Sequence, residues 1–417
     1  MSKFNNKARV KVLILISGSI AAVRIPLLVS KLIKENYDVK CVVTKNAEKL
    51  IQPISLSILS RNNCLTDADQ WCHKRSKPLH ITLCNWADLL LICPLTATTL
   101  SKWVTGNGEG LVSSILIANK KPIIVAPAMN TNMWLNQAVQ NNYELIKTYK
   151  NVLLINPIEG LLACDQFGVG KMPPNNLIKL AIKFIVTTKE SQFHDLANKS
   201  FLITGGSTSE QIDPARKITN NSSGMMSLVL AQVAKFRGAE VTYIHGPLNF
   251  NSSITDGLKN IEISNGEHLN QEVRKHIGNC DYFLMNAAVT DIKLNDCCKE
   301  KVPKKNLKEH FRENLEIVPD ILGNIVNSKL NNQVFIGFCA FTGSVKDLRP
   351  VIKKKFKLKG CDLIFANPID LIGQGFGEKA MNEGWLFDND EMEFHIEKTS
   401  KIDLANKLIN KIISINK

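Results

Sequence analysis

Paired cysteine motifs and long apolar runs are both missing from this 417-residue sequence. Its 11 cysteines are scattered singly apart from Cys297-Cys298, with neither CxxC units nor a disulfide-framework spacing. This excludes the usual zinc modules and a disulfide-stapled secreted fold. The apolar stretch at residues 10–16 is too short for a membrane span and breaks into a Ser-Gly-Ser turn. We therefore expect a cytoplasmic protein with reduced thiols and no membrane partner.

Signatures of dinucleotide and nucleic-acid binding are missing as well. Neither half contains GxGxxG, the glycine pattern of a nicotinamide-binding turn, which argues against a nicotinamide-dependent oxidoreductase. The net charge of +14 would suit a polyanionic partner, but no helix-turn-helix, zinc-finger or aromatic RNA-binding pattern accompanies it. We expect no nucleic acid partner. Phosphorylated small molecules, or general enrichment in lysine, remain as explanations of the charge.

What the sequence does contain is apolar material for two cores. A length of 417 residues and a hydrophobic fraction of 44% predict two globular domains of about 200 residues each. Apolar runs in the first half predict strands at residues 10–17, 39–44, 88–93, 122–126 and 152–156. A glycine-serine turn followed by an amphipathic pattern predicts a helix over 20–35.

The second half repeats this alternation after a helical segment, 181–199, that ends in a polar connector. Strands are predicted at 201–204, 240–245, 282–286, 334–339 and 362–366, with a helix at 226–237. Alternating strands and helices predict an α/β protein of two tandem Rossmann-like domains with largely parallel sheets, residues 1–190 and 191–417. The lysine-rich segment 295–314 fits no packed element. It is either a disordered surface loop or a mobile flap over an active site.

Three polar loops of the first half follow predicted strands. They are the Ser17-Gly18-Ser19 turn, the hydroxyl-rich loop 94–99 and the loop 126–134. Because the carboxyl ends of parallel strands meet at one edge of a sheet, we expect the three loops to converge there on a ligand. Backbone N–H groups at a helix N-terminus suit a phosphate, although one such turn is a weak signal alone.

The same loops carry a family resemblance. PAMNTNMW at 127–134, ISGSIAAVRIP at 16–26, HITLCNWADLLLICPLTATTLSK at 80–102 and LLACDQFGVGKM at 161–172 resemble motifs of the flavin-dependent cysteine decarboxylases, in that family's order. The similarity is greatest to phosphopantothenoylcysteine decarboxylases, as the first half of a two-domain bacterial protein. It implies a flavodoxin-like flavoprotein domain.

The resemblance also implies an FMN site and a set of catalytic residues. FMN would oxidise the cysteine moiety, so that carbon dioxide can leave, and the product would then be protonated while the reduced flavin returns its hydride. His80 would be the catalytic base or acid, Asn130 would hold the substrate carboxylate, and Cys164 would donate the last proton from a mobile clamp. The residues expected to bind FMN are Ser17, Gly18, Ser19, Thr44, Thr96, Thr98 and Ala128.

This sequence departs from the decarboxylase pattern in two places. Asp165 stands where the family usually has glycine after the clamp cysteine, and we expect it to stiffen the clamp or to add negative charge beside the thiol. Val23-Arg24 stands where an aromatic residue and a lysine are usual.

The second half resembles the ligase domain that joins cysteine to phosphopantothenate. FLITGGSTSEQIDPARKITNNSSGMM at 201–226 offers a glycine turn and a loop rich in hydroxyls and amides, which suits phosphates. NAAVTD at 286–291 and VPDIL at 318–322 match further motifs of that domain, in its order. The resemblance implies CTP as co-substrate, an acyl-cytidylate intermediate and Mg²⁺.

Site residues of the ligase follow from the same resemblance. Asn220 would contact the acyl-cytidylate, Asp291 would meet the nucleotide or its metal ion, and Lys304 in the flap would stabilise phosphoryl charge. The expected nucleotide-binding residues are Asn286, Ala287, Asp291, Lys304, Pro319, Asp320, Ile321, Leu322, Phe338, Lys355 and Lys359. Two departures accompany them: the flap reads Val302-Pro303-Lys304-Lys305, where the family usually has another lysine before an apolar residue, and Phe341 replaces a polar residue.

The function expected from both halves is a step pair of coenzyme A biosynthesis. Phosphopantothenate, cysteine and CTP would be ligated, and the product would be decarboxylated to phosphopantetheine. The alternative is a non-catalytic regulatory flavoprotein of the same fold, against which the presence of His80, Asn130 and Cys164 argues. The resemblance further implies a homo-oligomer with trimeric decarboxylase sites between subunits and ligase dimers.

Overall fold

The computed structural model describes residues 8–73, 75–188, 193–248, 252–295, 297–371, 381–389 and 393–415. The chain divides into two compact units, Met1–Phe193 and His194–Lys417. The expected junction at residue 190 lies outside the described residues. None of the helices in the described ranges is long and apolar enough to cross a membrane.

The first unit is built from seven strands and nine α-helices in its described part. The strands are β1 Lys11–Ile16, β2 Asp38–Val43, β3 Leu89–Leu95, β4 Ile123–Pro127, β5 Val152–Leu154, β6 Ile158–Leu161 and β7 Phe167–Lys171. The helices are α1 Ile25–Lys34, α2 Lys45–Glu48, α3 Pro53–Ser60, α4 Leu79–Trp86, α5 Ala97–Val104, α6 Leu111–Ala118, α7 Thr131–Leu135, α8 Gln137–Lys147 and α9 Asn175–Thr188.

Five of these strands form one parallel sheet in the order β2-β1-β3-β4-β5. This is the flavodoxin-like order: β2 lies on one side of β1 and β3 to β5 lie on the other, so the switch point of the topology is between β1 and β3. All seven residues of β3 are buried, as expected for a strand covered by helices on both faces. The predicted parallel α/β sheet is therefore confirmed.

The helix predicted over 20–35 is interrupted. Residues Ile20–Arg24 form a 3₁₀ helix, and the α-helix begins only at Ile25. Pro26 explains the break, because a proline lacks the backbone N–H and is tolerated only in the first turn of a helix. In the same way α9 begins at Asn175, directly after two prolines, and not at residue 181 as predicted.

A separate antiparallel hairpin, β6 with β7, contains the clamp motif. Gly170 in β7 has a φ of +148°, and a Cβ there would lie 2.1 Å from Met129 O. The Met129 amide in turn donates to Gly170 O over 3.0 Å. Glycine thus permits the close approach that attaches the hairpin to the loop after β4.

The second unit has twelve strands and six α-helices in its described part. The strands are β8 Ser200–Gly205, β9 Ser209–Asp213, β10 Arg216–Thr219, β11 Glu240–His245, β12 Lys259–Glu262, β13 Tyr282–Met285, β14 Ile292–Leu294, β15 Leu315–Ile317, β16 Val334–Phe341, β17 Leu363–Pro368, β18 Asn382–Asp388 and β19 Glu393–Thr399. The helices are α10 Met225–Phe236, α11 Gly266–His276, α12 Leu307–Asn314, α13 Ile321–Ile325, α14 Val345–Lys359 and α15 Lys401–Ile415.

Eight of these strands form a sheet in the order β12-β11-β8-β13-β16-β17-β18-β19. The first six are parallel and follow the Rossmann order, with the switch point between β8 and β13. The last two, β18 and β19, add antiparallel strands that the sequence analysis did not predict. The second predicted parallel sheet is confirmed.

Segment 295–314 differs from the expectation of an unstructured region. Residues Leu307–Asn314 form α12, none of whose residues is buried, and β15 directly after it pairs with β14. Its charged residues, Lys308, Glu309, Arg312 and Glu313, are good helix formers that need no core contact. The sequence did not predict α12 because these residues show no hydrophobic stripe, the pattern that marks an amphipathic helix.

Candidate active sites

In the first unit, a cavity of about 380 Å³ lies at the carboxyl ends of β1 to β4. The loops after these four strands form its wall, as the arrangement of polar loops predicted. Six of the seven residues expected to bind FMN line it: Gly18, Ser19, Thr44, Thr96, Thr98 and Ala128.

The seventh, Ser17, is buried behind the wall. Its Oγ donates to Pro94 O over 2.6 Å and accepts from the Thr96 amide over 3.0 Å. Ser17 therefore joins the loop after β1 to the loop after β3, and it shapes the cavity without facing it.

Two features of the wall suit an anionic group. A Cβ on Gly18 would lie 2.5 Å from Asn46 Cβ, so only glycine lets the first two loops meet there. Thr96 is the N-cap of α5, and its side chain forms no capping hydrogen bond with the helix. The backbone N–H groups in the first turn of α5 thus lack a side-chain cap, which is typical of a phosphate-binding helix N-terminus.

Asn130 and Cys164 meet at the rim of this cavity. Asn130 lines the cavity and is the N-cap of α7, with its Oδ1 accepting from the Asn132 amide over 2.8 Å. This bond orients the amide group, so that Nδ2 points to the hairpin and donates to Cys164 Sγ over 3.2 Å. A thiol and an oriented amide are thereby brought side by side.

The thiol is carried by the tight turn between β6 and β7. The Asp165 amide donates to Leu162 O over 3.1 Å, and Asp165 has a φ of +60°. This left-handed conformation favours glycine, and aspartate is among the few other residues that tolerate it. The turn geometry explains why a glycine is usual at this position and how Asp165 can replace it.

His80 and Arg24 lie elsewhere in the unit. His80 is the second residue of α4, half-buried, and does not line the cavity of its own chain. The Arg24 guanidinium donates to Met172 O over 2.9 Å and to Pro173 O over 3.2 Å, just after the hairpin. Arg24 thus fixes the end of the hairpin to the 3₁₀ helix after β1.

In the second unit, a larger cavity of about 760 Å³ lies at the carboxyl edge of the sheet. Its wall contains Asn220 and all but one of the residues expected to bind the nucleotide: Asn286, Ala287, Asp291, Pro319, Asp320, Ile321, Leu322, Phe338, Lys355 and Lys359. The motifs from four distant parts of the sequence therefore meet in one place.

The loop before α10 is held against the loop after β13. Asn220 Nδ2 donates to Val289 O over 2.9 Å. Gly224, the N-cap of α10, has a φ of +74°, and a Cβ there would lie 2.7 Å from Leu248 Cδ2. Glycine is thus required where the loop turns into the helix, and the helix N-terminus faces the cavity.

Two lysines of α14 point into the cavity with partners. Lys355 Nζ donates to Cys339 Sγ over 2.9 Å, and Lys359 Nζ lies 3.2 Å from Asp320 Oδ1. Phe341 does not line the cavity. Its ring packs edge-on against Trp385, with ring centroids 5.9 Å apart, so this departure from the family pattern serves packing.

Lys304 does not reach this cavity in the structure. It is exposed at the start of a 3₁₀ turn, Lys304–Asn306. The segment before it is anchored, since Arg216 donates to Val302 O over 2.6 Å and Asp213 accepts from the Val302 amide over 3.2 Å. The Arg216 guanidinium also lowers the pKa of Asp213 to about 2.

The sequence analysis missed several residues in the two walls. In the second unit, Lys401 and Asn382 line the cavity, and both are buried. Burial lowers the pKa of Lys401 to about 8. No motif singled out either residue, because Asn382 begins β18 and Lys401 follows β19, both in the polar C-terminal region. The sequence signal that could have indicated Lys401 is its position directly before the apolar pattern of the last helix.

Acidic groups are sparse at both sites. Among the described residues, no group of three or more histidine, cysteine, aspartate or glutamate side chains could hold a metal ion. Asp291 lines the second cavity and is exposed. Any ion at Asp291 would therefore take most of its ligands from water and from phosphates.

Comparisons with known proteins agree with this architecture. Residues 2–187 match the family model described as Flavoprotein, and residues 196–415 match the DNA/pantothenate metabolism flavoprotein C-terminal domain. The coenzyme A biosynthesis bifunctional protein CoaBC of Borreliella burgdorferi is 36% identical over 87% of this chain and 90% of its own length. That of Bacillus subtilis is 30% identical over 97% of both.

A solved structure of a PPC decarboxylase mutant, complexed with pantothenoylaminoethenethiol, is 33% identical. It covers 43% of this chain and 99% of its own length, with a TM-score of 0.40.

The fold and the family models define a flavoprotein with a second α/β unit of pantothenate metabolism. The chain belongs to the family of coenzyme A biosynthesis bifunctional proteins. It is an enzyme of coenzyme A biosynthesis with decarboxylase and ligase activities.

Proposed function

We propose that the chain ligates phosphopantothenate to cysteine with CTP and Mg²⁺, and then decarboxylates phosphopantothenoylcysteine to phosphopantetheine with FMN. The FMN-dependent decarboxylase is assigned to residues 1–190 and the ligase to residues 191–417. The single observation that carries the proposal is the contact of Asn130 with Cys164 at the rim of the first cavity. A regulatory flavoprotein would have no need of a thiol held beside an oriented amide.

The first cavity fits FMN. Gly18 and Ser19 line the same cavity as the N-terminus of α5, whose backbone N–H groups would donate to the phosphate. Gly18, Ser19, Thr44, Thr96, Thr98 and Ala128 would hold the cofactor, with Ser17 fixing two of their loops. Bound FMN would take two electrons from the cysteine moiety so that carbon dioxide can leave, and the reduced flavin would return them to the decarboxylated product, so that the overall reaction is redox-neutral.

The protein's own groups would handle the carboxylate and the proton. Asn130 would donate from Nδ2 to the substrate carboxylate, because its Oδ1 is already engaged by the helix N-terminus. Cys164 would then give a proton to the carbon that lost carbon dioxide. The exposed turn on which the thiol lies would cover the substrate and exclude water during that step.

In the second cavity, the ligase reaction requires cations around a triphosphate. Lys355 and Lys359 would exchange their present partners, Cys339 and Asp320, for phosphate oxygens. Asn220 and the N-terminus of α10 would bind the acyl-phosphoryl group. Lys304 would join from its anchored segment when the ligand is bound, and Asp291 would help to hold Mg²⁺, which would neutralise phosphate charge.

Association of subunits is part of this proposal. His80 does not line the cavity of its own chain, which favours a decarboxylase site completed by a second copy. We infer a trimer around the first unit and dimers of the second.

The test is a coupled assay on the purified chain with phosphopantothenate, cysteine, CTP and Mg²⁺, with products followed by mass. We expect phosphopantetheine and carbon dioxide from a yellow protein. Cys164→Ser should lower the rate of decarboxylation by about a hundredfold or more, as expected for loss of a catalytic proton donor. Phosphopantothenoylcysteine should then accumulate.

Cys297→Ser is the matched control, since Cys297 is an exposed cysteine of the other unit. It should leave both steps unchanged. If neither product forms with a yellow, folded protein, the catalytic proposal is wrong and a regulatory role gains support. Substituting ATP for CTP in the same assay tests the nucleotide.

A further inference from the structure

The end of β16 contributes a thiol to the wall of the second cavity. Cys339 lines this cavity between Phe338 and Ala340, and only 4% of it is exposed. The side chain is thus enclosed in the wall. In the reaction proposed above, Cys339 is only the group that Lys355 leaves when the nucleotide binds.

This thiol uses its donor and its acceptor function. The Sγ atom donates to Ala340 O over 3.6 Å and accepts from Lys355 Nζ over 2.9 Å. Because the S–H proton is directed at a carbonyl group, a sulfur lone pair is left for the ammonium. The contact with Lys355 is charge-assisted, since its donor is a cation. The thiol therefore fixes the position of the ammonium at the end of the strand.

Helix α14 brings two lysines to this cavity. Lys355 and Lys359 both line it and are four residues apart, so they lie on one face of the helix, about one turn from each other. Ile352, three residues before Lys355, is buried in the core and fixes the orientation of this face. The stem of a lysine is flexible, so an ammonium needs a partner to be held in one place.

The two lysines have partners of different kinds. Lys359 Nζ lies 3.2 Å from a carboxylate oxygen of Asp320, whereas Lys355 Nζ contacts a thiol. A thiol sulfur is a weak acceptor, so it orients the ammonium but competes little with a phosphate oxygen. Lys355 can therefore move to a triphosphate more easily than Lys359, which has to leave an opposite charge.

We propose that Cys339 is a positioning residue for the ligase reaction and holds the Lys355 ammonium where the triphosphate of the nucleotide binds. The inference rests on the proposed ligase function and adds to it a residue that acts through Lys355. An ammonium that is already held in place loses less conformational freedom when the ligand binds than one on an unrestrained side chain. The thiol thereby raises the affinity for the nucleotide.

The test measures the affinity for CTP, with Mg²⁺ present, by calorimetry on the full chain. Cys339→Ala removes the sulfur and should weaken CTP binding about fivefold, as expected for loss of one hydrogen bond. Cys339→Ser retains an acceptor at nearly the same place and should restore most of the affinity. Cys361→Ala is the matched control, because Cys361 is a buried cysteine of the same core that does not line the cavity. It should leave the affinity unchanged.

A double-mutant cycle separates positioning of Lys355 from a direct contact of the thiol with CTP. In a Lys355→Met chain, the added substitution Cys339→Ala should change the affinity by less than about twofold, because the group that it positions has lost its charge. A fivefold loss in that chain as well would overturn the inference, and so would an unchanged affinity of Cys339→Ala itself. If the wild-type chain bound no CTP, the proposed ligase function would fail, and the inference with it.

A second substitution covers the case in which Cys339→Ala does not fold. Cys339→Val fills the space of the sulfur with a methyl group, has no acceptor and suits a strand. It should weaken CTP binding as much as is expected of alanine, while the KM for phosphopantothenate in the ligation assay stays unchanged. An equal loss for both substrates would show a general disruption of the cavity and contradict the role of Cys339 as a positioning residue.

Discussion

At the scale of single residues, the turn that carries the thiol proposed as the proton donor is held in an uncommon conformation. Asp165 has a φ of +60° directly after Cys164, within a turn closed by its own amide. Few side chains accept the left-handed region, because Cβ crowds the following carbonyl group. The position therefore selects glycine, aspartate or asparagine whatever the chemistry of the site.

Substitutions at Asp165 should separate backbone geometry from charge. Asp165→Gly should retain decarboxylation or raise it modestly, since glycine removes a strain of about 1 kcal/mol or less. Asp165→Val should lower the rate of decarboxylation about tenfold or more, because a β-branched residue at positive φ would displace the thiol. The rate is measured with phosphopantothenoylcysteine as substrate.

A matched control is available in the other unit. Asn198 has a φ of +63°, so Asn198→Val imposes the same backbone strain away from the thiol. It should lower stability and leave decarboxylation of the remaining folded protein unchanged. If Asp165→Asn, which retains the geometry, slowed the reaction as strongly as Asp165→Val, charge and not conformation would control the turn.

Sequence reasoning found residues that belong to motifs and missed residues that depend on tertiary structure. Asn130 and Asn220 were predicted because each lies in a recognisable loop, and both line cavities. Lys401 and Asn382 belong to no motif, and only the folded chain brings them into the wall. The roles predicted for His80 and Lys304 stay predictions, since neither residue lines a cavity within one chain.

At the scale of elements, the flavin cavity depends on the contact of two loops. The loop after β1 meets the start of α2 at Gly18, where a Cβ would lie 2.5 Å from Asn46 Cβ. A Cβ atom is bonded directly to the backbone, so rotation of the Asn46 side chain cannot make room for the methyl group of an alanine at residue 18. The two loops must separate to admit it.

Gly18→Ala should therefore lower flavin content. We expect purified Gly18→Ala protein to carry less than about half of the wild-type FMN, since separation of the loops removes the phosphate contacts. Flavin absorbance per protein chain measures this directly. Gly108→Ala is the control, because its Cβ would meet no described atom closer than 3.7 Å. Equal flavin in both variants would show that the contact at Gly18 is not needed.

The predictability of the elements follows from burial. Strands such as β3 were found because parallel strands are covered on both faces and appear as continuous apolar runs. The hairpin β6–β7 and the strand β19 were missed, since short antiparallel strands with exposed positions lack such runs. Strand β18 was missed because its buried residues are interrupted by partly exposed ones. Helix α12 was missed because none of its residues is buried, so its sequence has no apolar stripe.

At the scale of the whole molecule, two strand orders lead to the same kind of site. The first unit has the flavodoxin-like order and the second has the Rossmann order, although both begin with a strand and a glycine turn. In the second unit the hairpin β9–β10 stands between that turn and the first helix. Their similar openings are thus a common architecture and not an internal repeat. In each unit the cavity lies at the carboxyl edge, where helix N-termini and loops favour phosphorylated ligands.

The position of His80 leads to a prediction about assembly. Within one chain, Cys164 contacts Asn130 at the cavity rim, whereas His80 does not line that cavity. If both residues act on one substrate, the histidine must come from a neighbouring subunit. Each decarboxylase site would then combine Cys164 of one chain with His80 of another.

Co-expression of two inactive variants tests this assignment. Oligomers that contain His80→Ala and Cys164→Ser chains in equal amounts should recover about one quarter of wild-type decarboxylation. A site is complete only where a His80→Ala chain supplies the thiol and the neighbouring Cys164→Ser chain supplies the histidine. Variants purified separately and mixed without exchange should stay inactive. If verified mixed oligomers also stayed inactive, the two residues would have to act within one chain, and the cavity rim would have to move toward α4.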